Sequence, residues 1–118
     1  MIYKSRITEI GPAALGMLEN NMLILFNDDA PSELRDISVL HEKAEMAGEI
    51  KEGQTVTVSG ETFVVEGVGE RVNESFLTLG HCCLVFNAGN RPALPCQIML
   101  SGAVLPQVSE GDFIEVSE

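Results

Sequence analysis

Two histidines, His41 and His81, are the side chains in this sequence that titrate near neutral pH without special tuning. A neutral imidazole nitrogen is a good nucleophile at pH 7, because the ordinary histidine pKa of about 6.5 leaves most rings uncharged. Any nucleophilic or proton-transfer chemistry therefore falls first on these two residues. Neither histidine stands in a recognisable catalytic motif, so a structural role is the alternative for both.

The orientation of His41 is left open by its local pattern. It ends the short apolar run at residues 37–40 and starts a charged run at Glu42. Side chains alternate along a strand, so His41 points inward if Val39 does, whereas the opposite phase turns it outward beside Leu40. His81 follows Gly80 and opens a strongly apolar segment.

The cysteines Cys82, Cys83 and Cys96 could in principle join a histidine in a zinc site. Adjacent strand residues face opposite sides, and the usual two-residue spacer between ligands is absent. No metal or other cofactor is therefore predicted. An odd number of cysteines without an export signal also indicates reduced thiols rather than a disulfide framework.

The charge balance excludes several classes of protein. The chain has 118 residues, with 18 acidic against 7 basic side chains and a net charge of -11. Such a surface opposes binding to nucleic acids and to anionic membranes, and it favours encounter with a basic partner. Simple solubility is the alternative reading. The sequence also has no P-loop, dinucleotide-binding glycine fingerprint, nucleophile elbow or paired-histidine zinc helix.

The elements that must position the histidines are mostly short strands separated by Gly, Pro, Asn and Asp. Eight are predicted, at residues 3–10, 22–26, 37–40, 55–59, 62–68, 82–86, 97–100 and 113–116. The fourth and fifth are separated by Gly60-Glu61 and have the spacing of a tight hairpin. Strands at this spacing predict a single mostly β domain over residues 1–118, closed into a small barrel that leaves no exposed sheet edge.

One or two short helices interrupt the strands. The segment 12–20 favours helical turns, and 72–79 is the other candidate, with Asn73 as N-cap and Gly80 as the stop. No apolar run approaches the roughly 20 residues needed to span a bilayer. The first residues also lack the pattern of an export signal, so a cytoplasmic location is expected.

Several stretches resemble, over nearly the whole chain, the glucitol/sorbitol-specific enzyme IIA component of the bacterial phosphoenolpyruvate-dependent sugar phosphotransferase system (PTS). These stretches are Ile2-Tyr3, Ile7-Thr8-Glu9-Ile10-Gly11, Met22-Leu23-Ile24-Leu25-Phe26, Ala30-Pro31 with Leu34, Leu40-His41, and Leu79-Gly80-His81 with Phe86. Members of this family are small, single-domain and predominantly β.

The resemblance implies a phosphoryl carrier. A histidine matching His41 would accept a phosphoryl group from the phosphohistidine of the carrier protein HPr, then pass it to a cysteine of the cognate enzyme IIB. His81 would stabilise the phosphoryl group, and Lys43 stands where relatives often have a second histidine. Such a carrier contacts proteins rather than the sugar. The competing reading is a non-enzymatic β-barrel that binds or scaffolds other proteins.

The carrier role leads to definite expectations about His41. Its ring should be partly exposed, with an orienting hydrogen bond to one nitrogen and an apolar patch around it. Acidic groups such as Glu42 and Glu45 should lie on the rim, where they guide a basic HPr without repelling the phosphate. Backbone amides or His81 should lie nearer to the phosphoryl oxygens.

Overall fold

Eight strands close into a barrel in a computed structural model that describes residues 1–89 and 91–118. The strands are β1 Tyr3–Ile10, β2 Met22–Asn27, β3 Val39–His41, β4 Thr55–Val58, β5 Glu61–Val68, β6 Cys82–Phe86, β7 Gln97–Ser101 and β8 Phe113–Ser117. Around the barrel they follow the order β1-β3-β2-β6-β7-β5-β4-β8, with β8 returning to β1. The predicted mostly β barrel is confirmed.

Most neighbouring strands are antiparallel, but β3 runs parallel to β2, and β7 runs parallel to β6. Parallel neighbours need a crossover connection, and the chain between β2 and β3 supplies one through helix α1, Ser32–Arg35. The sequence pattern did not predict this helix. It is a single turn, and the Asp, Pro and Ser residues around it are equally typical of a loop.

Two further short helices are those expected from the sequence. A 3-10 helix spans Leu15–Asn20, and helix α2 spans Val72–Leu79. The helix α2 ends at Gly80, whose left-handed φ of 60° lets its N–H close the last turn on Phe76. Asn73 is not the N-cap: its side-chain amide instead bonds the N–H and carbonyl of Ile50, at 2.7 and 3.1 Å.

The alternation of side chains fills the barrel with apolar groups. On β1, Tyr3, Ser5 and Ile7 point inward, whereas the residues between them are exposed or only partly buried. The main core is built from all the strands and α2. A second, smaller cluster lies on the outer side of β2 and β3, where Phe26 and Leu40 pack with Ala30.

The tight hairpin between β4 and β5 is also confirmed, but its turn lies one residue before the predicted Gly60-Glu61, because Glu61 already pairs with Val58. The two turn residues, Ser59 and Gly60, both have positive φ, 52° and 86°. This is the backbone twist that suits a two-residue hairpin. No helix in the described part of the chain has the length and apolar character needed to cross a bilayer.

Candidate functional site

The third strand decides the orientation of His41. It runs from Val39 to His41, two residues further along than the predicted start, and Val39 belongs to the main core while Leu40 belongs to the outer cluster. The inward phase of Val39 therefore places His41 inside the barrel as well. The register of the paired strands places His41 opposite Ile7 of β1 and Asn27 of β2.

The expectation that His41 would be partly exposed is wrong. The residue has 0% of its surface exposed. Helix α2 covers the ring, with Phe76 stacked on it at 5.8 Å between ring centroids, and Tyr3 meets it edge-on at 6.0 Å. The sequence does not predict this burial, because the residues that cover the ring, Tyr3 and Phe76, are distant from His41 along the chain.

Both nitrogens of the His41 ring have polar partners. On one side, Nε2 lies 2.8 Å from the carbonyl oxygen of Gly80. On the other, Nδ1 lies 3.1 Å from the hydroxyl of Tyr3, 3.2 Å from that of Ser5 and 3.2 Å from the carbonyl oxygen of Glu42. The expected orienting hydrogen bond is therefore present, and its acceptor is Gly80.

These partners fix the tautomer of the ring. A carbonyl oxygen can only accept, and both Gly80 and Glu42 present one to the ring. The contact from Nε2 to Gly80 is the shorter, 2.8 Å against 3.2 Å from Nδ1 to Glu42, and only Nδ1 also has hydroxyl neighbours, so we assign the proton of the neutral ring to Nε2. Burial lowers the pKa of His41, and this outweighs the opposing effects of the carbonyls of Gly80 and Glu42 and of the Asp28 charge. The ring is neutral at pH 7, and Nδ1 has a free lone pair that accepts from a hydroxyl.

The hydroxyl donors are themselves held in place. Ser5 donates to the Glu42 carbonyl oxygen at 2.5 Å, and the Tyr3 hydroxyl lies 3.5 Å from the same atom. The shorter contact of Tyr3 is to Nδ1 of His41, so Tyr3 is the donor to the ring. Burial raises the pKa of Tyr3, which keeps its hydroxyl protonated at neutral pH.

His81 lies outside the barrel. Its ring is half-buried and stacks on Phe26 at 4.1 Å between centroids, with 16° between the planes. Its Nδ1 is 3.0 Å from the carbonyl oxygen of Leu25, so this nitrogen donates. Its Nε2 has no hydrogen-bond partner among residues 1–89 and 91–118. The structure links the two histidines only indirectly, through the Gly80 carbonyl that precedes His81.

The acidic groups lie at the rim, as expected. The Glu42 carboxylate is half exposed and pairs with Arg6 at 3.4 Å, although the carbonyl of the same residue faces the His41 ring. Glu45 is exposed. Lys43 pairs with Asp29 at 2.7 Å on the surface. The polar groups that contact the ring nitrogens are hydroxyls and backbone carbonyls.

The cysteines stand apart from this arrangement. All three are free thiols, and Cys82 lies in the barrel core, where burial raises the pKa of its thiol. Within the part of the chain that the structure describes, no three His, Cys, Asp or Glu side chains come close enough to hold a metal ion.

The closed eight-stranded barrel has a counterpart among solved structures. The structure matches the crystal structure of a PTS system IIA component from Enterococcus faecalis V583 with a TM-score of 0.86. The match covers 98% of this chain and 100% of the other, at 21% sequence identity.

The chain belongs to the family of PTS system glucitol/sorbitol-specific IIA components, whose family model matches residues 2–115. The glucitol/sorbitol-specific EIIA components of Escherichia coli (strain K12) and Shigella flexneri are each 28% identical over 115 residues. Each alignment covers 98% of this chain and 94% of the relative. The resemblance seen in the sequence is confirmed, and the chain is a glucitol/sorbitol-specific IIA component of a phosphotransferase system.

Proposed function

We propose that this chain is a cytoplasmic phosphoryl carrier that acts through His41. It accepts a phosphoryl group from the phosphohistidine of HPr and passes it to a cysteine of the cognate enzyme IIB during glucitol/sorbitol uptake. Family membership supports the system and the sugar. The observation that carries the assignment to His41 is the arrangement of its ring: Gly80 accepts from Nε2, and the Nδ1 lone pair faces the hydroxyls of Tyr3 and Ser5.

The chemistry needs little from the protein beyond position and charge stabilisation. A phosphorus–nitrogen bond is labile, so transfer from one imidazole to another and then to a thiolate stays reversible. His41 requires no separate base, because burial keeps its ring neutral at pH 7. Its plane is fixed by Phe76 and by hydrogen bonds on both edges, which orients the lone pair before a partner arrives.

Access to Nδ1 requires the chain after β3 to move. Residues 42–49 contain neither helix nor strand, and all of them except Met46 are exposed. Two backbone bonds attach this segment to β1 and the residue before it: Glu42 N–H to the Arg6 carbonyl at 3.0 Å, and Ala47 N–H to the Ile2 carbonyl at 2.9 Å. The other attachments are polar side-chain contacts, which include the Ser5 hydrogen bond to the Glu42 carbonyl, the exposed ion pairs of Glu42 and Lys43, and a hydrogen bond from Gln54 to the Glu49 carbonyl. Segments that bury few apolar side chains are the ones that open locally.

The residue that follows segment 42–49, Ile50, is held firmly in place. Ile50 is buried and is bonded twice by Asn73 of α2, so an outward movement would be confined to the residues before it. Displacement of Glu42 removes its carbonyl from Nδ1 and opens the path to the ring. Docking of HPr, attracted by the acidic rim, would supply the free energy for this step.

His81 is the second candidate for the phosphoryl acceptor. The observation that favours it is access: its ring reaches solvent, Leu25 fixes its proton on Nδ1, and its Nε2 lone pair is unengaged within residues 1–89 and 91–118. His41 is preferred because its lone pair faces two hydroxyl donors. If His41 is the acceptor, His81 contributes to the docking surface or to stabilisation of the phosphoryl group.

The test is phosphorylation of matched variants. The protein is incubated with radiolabelled phosphoenolpyruvate, enzyme I and HPr, and compared with His41→Gln and His81→Gln. We expect an acid-labile, base-stable label that is lost in His41→Gln and only reduced in His81→Gln. Subsequent addition of enzyme IIB should discharge it.

Each other outcome has a definite meaning. Loss of label in His81→Gln alone would transfer the acceptor role to His81. Absence of label in the unaltered protein, or full labelling of both variants, would reject the carrier proposal. Circular dichroism and thermal unfolding of the variants exclude loss of fold as the cause of lost label.

A further inference from the structure

We propose that the hydroxyls of Tyr3 and Ser5 bind the phosphoryl group, and that this group is attached to Nδ1 of His41. This inference rests on the proposed function, and it assigns the phosphoryl-binding site to strand β1. Tyr3 and Ser5 carry ordinary strand residue types, and their role emerges only from their position beside the ring.

The two hydroxyls reach Nδ1 because of the period of the strand. Tyr3 and Ser5 are two residues apart on β1, so both side chains point into the barrel on the same side as His41 of the neighbouring strand β3. Their oxygens lie 3.1 and 3.2 Å from Nδ1. A phosphoryl group on that nitrogen would have both donors within reach of its oxygens.

The two donors are also preorganised. Tyr3 is 2% exposed and Ser5 is 3% exposed, and the Tyr3 ring packs on Phe76 at 4.6 Å between centroids. Hydrogen-bond donors fixed in a water-excluded site stabilise developing negative charge far better than donors in solution, because they need no reorganisation. Neutral hydroxyls bind the phosphoryl group more weakly than a cation would, which suits a group that must be transferred to enzyme IIB.

The transfer step balances with these groups alone. The Nδ1 lone pair of His41 forms the new nitrogen–phosphorus bond as the bond from phosphorus to the donor imidazole nitrogen breaks, and that imidazole keeps the released electron pair. His41 retains its proton on Nε2, held by Gly80. The Tyr3 hydroxyl turns from Nδ1, and the Ser5 hydroxyl turns from the Glu42 carbonyl, so that both donate to phosphoryl oxygens.

The same geometry explains why Glu42 must move before transfer. Its carbonyl oxygen lies 3.2 Å from Nδ1 and accepts from Ser5 in the resting protein. The carbonyl therefore occupies the place that the phosphoryl group takes, and it satisfies the serine hydroxyl until the group arrives. When Glu42 moves away, the space beside Nδ1 opens and the Ser5 hydroxyl becomes free to donate to the phosphoryl group.

The test compares four variants of the full chain. Tyr3→Phe and Ser5→Ala each remove one hydroxyl, and Ser5→Thr restores one at the same position. Thr8→Val is the matched control, because Thr8 is also on β1 but bonds the Leu40 carbonyl at 3.4 Å instead of the ring. The initial rate of phosphorylation by excess phospho-HPr and the lifetime of the phosphohistidine are measured for each.

We expect the rate to fall about tenfold or more in Tyr3→Phe and in Ser5→Ala. It should recover in Ser5→Thr and stay unchanged in Thr8→Val. Nitrogen-15 spectra of the imidazoles should show the Nε2–H tautomer of His41 in the resting protein and phosphorus on Nδ1 after transfer. The spectra identify the phosphorylated nitrogen directly, which the rates alone do not.

Phosphorus on Nε2 of His41 would overturn the inference, as would unchanged rates in both hydroxyl-deleted variants. Either result would leave the carrier function intact, because the label would still depend on His41. Continued labelling of His41→Gln would instead refute the proposed function. If Tyr3→Phe does not fold, the inference is still tested by the rates of Ser5→Ala and Ser5→Thr and by the identity of the phosphorylated ring nitrogen.

Discussion

Replacement of Gly80 by alanine should damage both the barrel mouth and the carrier site. Gly80 has a φ of 60°, and a Cβ at this position would lie 2.0 Å from Oδ1 of Asn27 and 3.0 Å from its backbone nitrogen. The Gly80 carbonyl is also the acceptor that fixes the tautomer of His41. The substitution therefore strains the backbone, forces the buried Asn27 side chain to move and displaces the hydrogen-bond acceptor of the proposed carrier residue His41.

The expected loss has two parts. A left-handed conformation costs an alanine about 1–2 kcal/mol. Relief of the clash with Asn27 adds about 1–3 kcal/mol, as in other overpacked sites. A total of about 3 kcal/mol should lower the Tm by roughly 12 °C for a chain of this size. The phosphorylation rate should fall as well, because the lone pair of His41 is no longer held in one orientation.

The matched control is Gly53→Ala. Gly53 also has a positive φ, 89°, but no heavy atom lies within 4 Å of its Cβ position. It should show the backbone strain without the clash and without the effect on phosphorylation. Urea unfolding of both variants supplies the comparison. Equal losses of unfolding free energy, or an unchanged phosphorylation rate in Gly80→Ala, would refute the reasoning.

Three other predictions concern the buried ring and the acidic rim. Because burial lowers the pKa of His41 from its ordinary 6.5, the unfolded chain binds a proton that the folded chain does not as the pH falls below that value. The unfolding free energy should therefore decrease with falling pH by up to about 1.4 kcal/mol per unit, and His41→Gln should remove this contribution in urea titrations at several pH values. Diethyl pyrocarbonate should modify His81 well before His41, as followed by peptide mass spectrometry; equal rates would contradict the burial. Replacing Glu42 and Glu45 by glutamine should slow phosphorylation by HPr several-fold at low salt, whereas equal slowing at high salt would exclude steering.

The strands were predictable because alternation and turn residues carry their signal locally. The hairpin at Ser59 and Gly60 needs only neighbouring residues, and the structure confirms it. The limits of short elements were harder to predict. Strand β3 begins at Val39 rather than at residue 37, because its limits are set by pairing with β1 and β2 rather than by its own sequence.

The proposed acceptor residue could be predicted from the sequence, but the residues around it could not. His41 and His81 were candidates because histidine titrates near neutral pH, and the family resemblance favoured His41. Its burial depends on α2 and on the phase of β3, which the alternation of Val39 and Leu40 left open. Tyr3 contributed to the family resemblance, but no sequence feature placed it or Ser5 beside the ring, because they lie 38 and 36 residues from His41 along the chain.

The most direct test of the account is to locate the phosphoryl group in the unaltered protein. After incubation with phosphoenolpyruvate, enzyme I and HPr, rapid digestion at alkaline pH and tandem mass spectrometry identify the modified peptide and residue. The account predicts one phosphoryl group, on His41. A group found on His81, or on no histidine at all, would contradict the claim that the buried ring of His41 is the carrier.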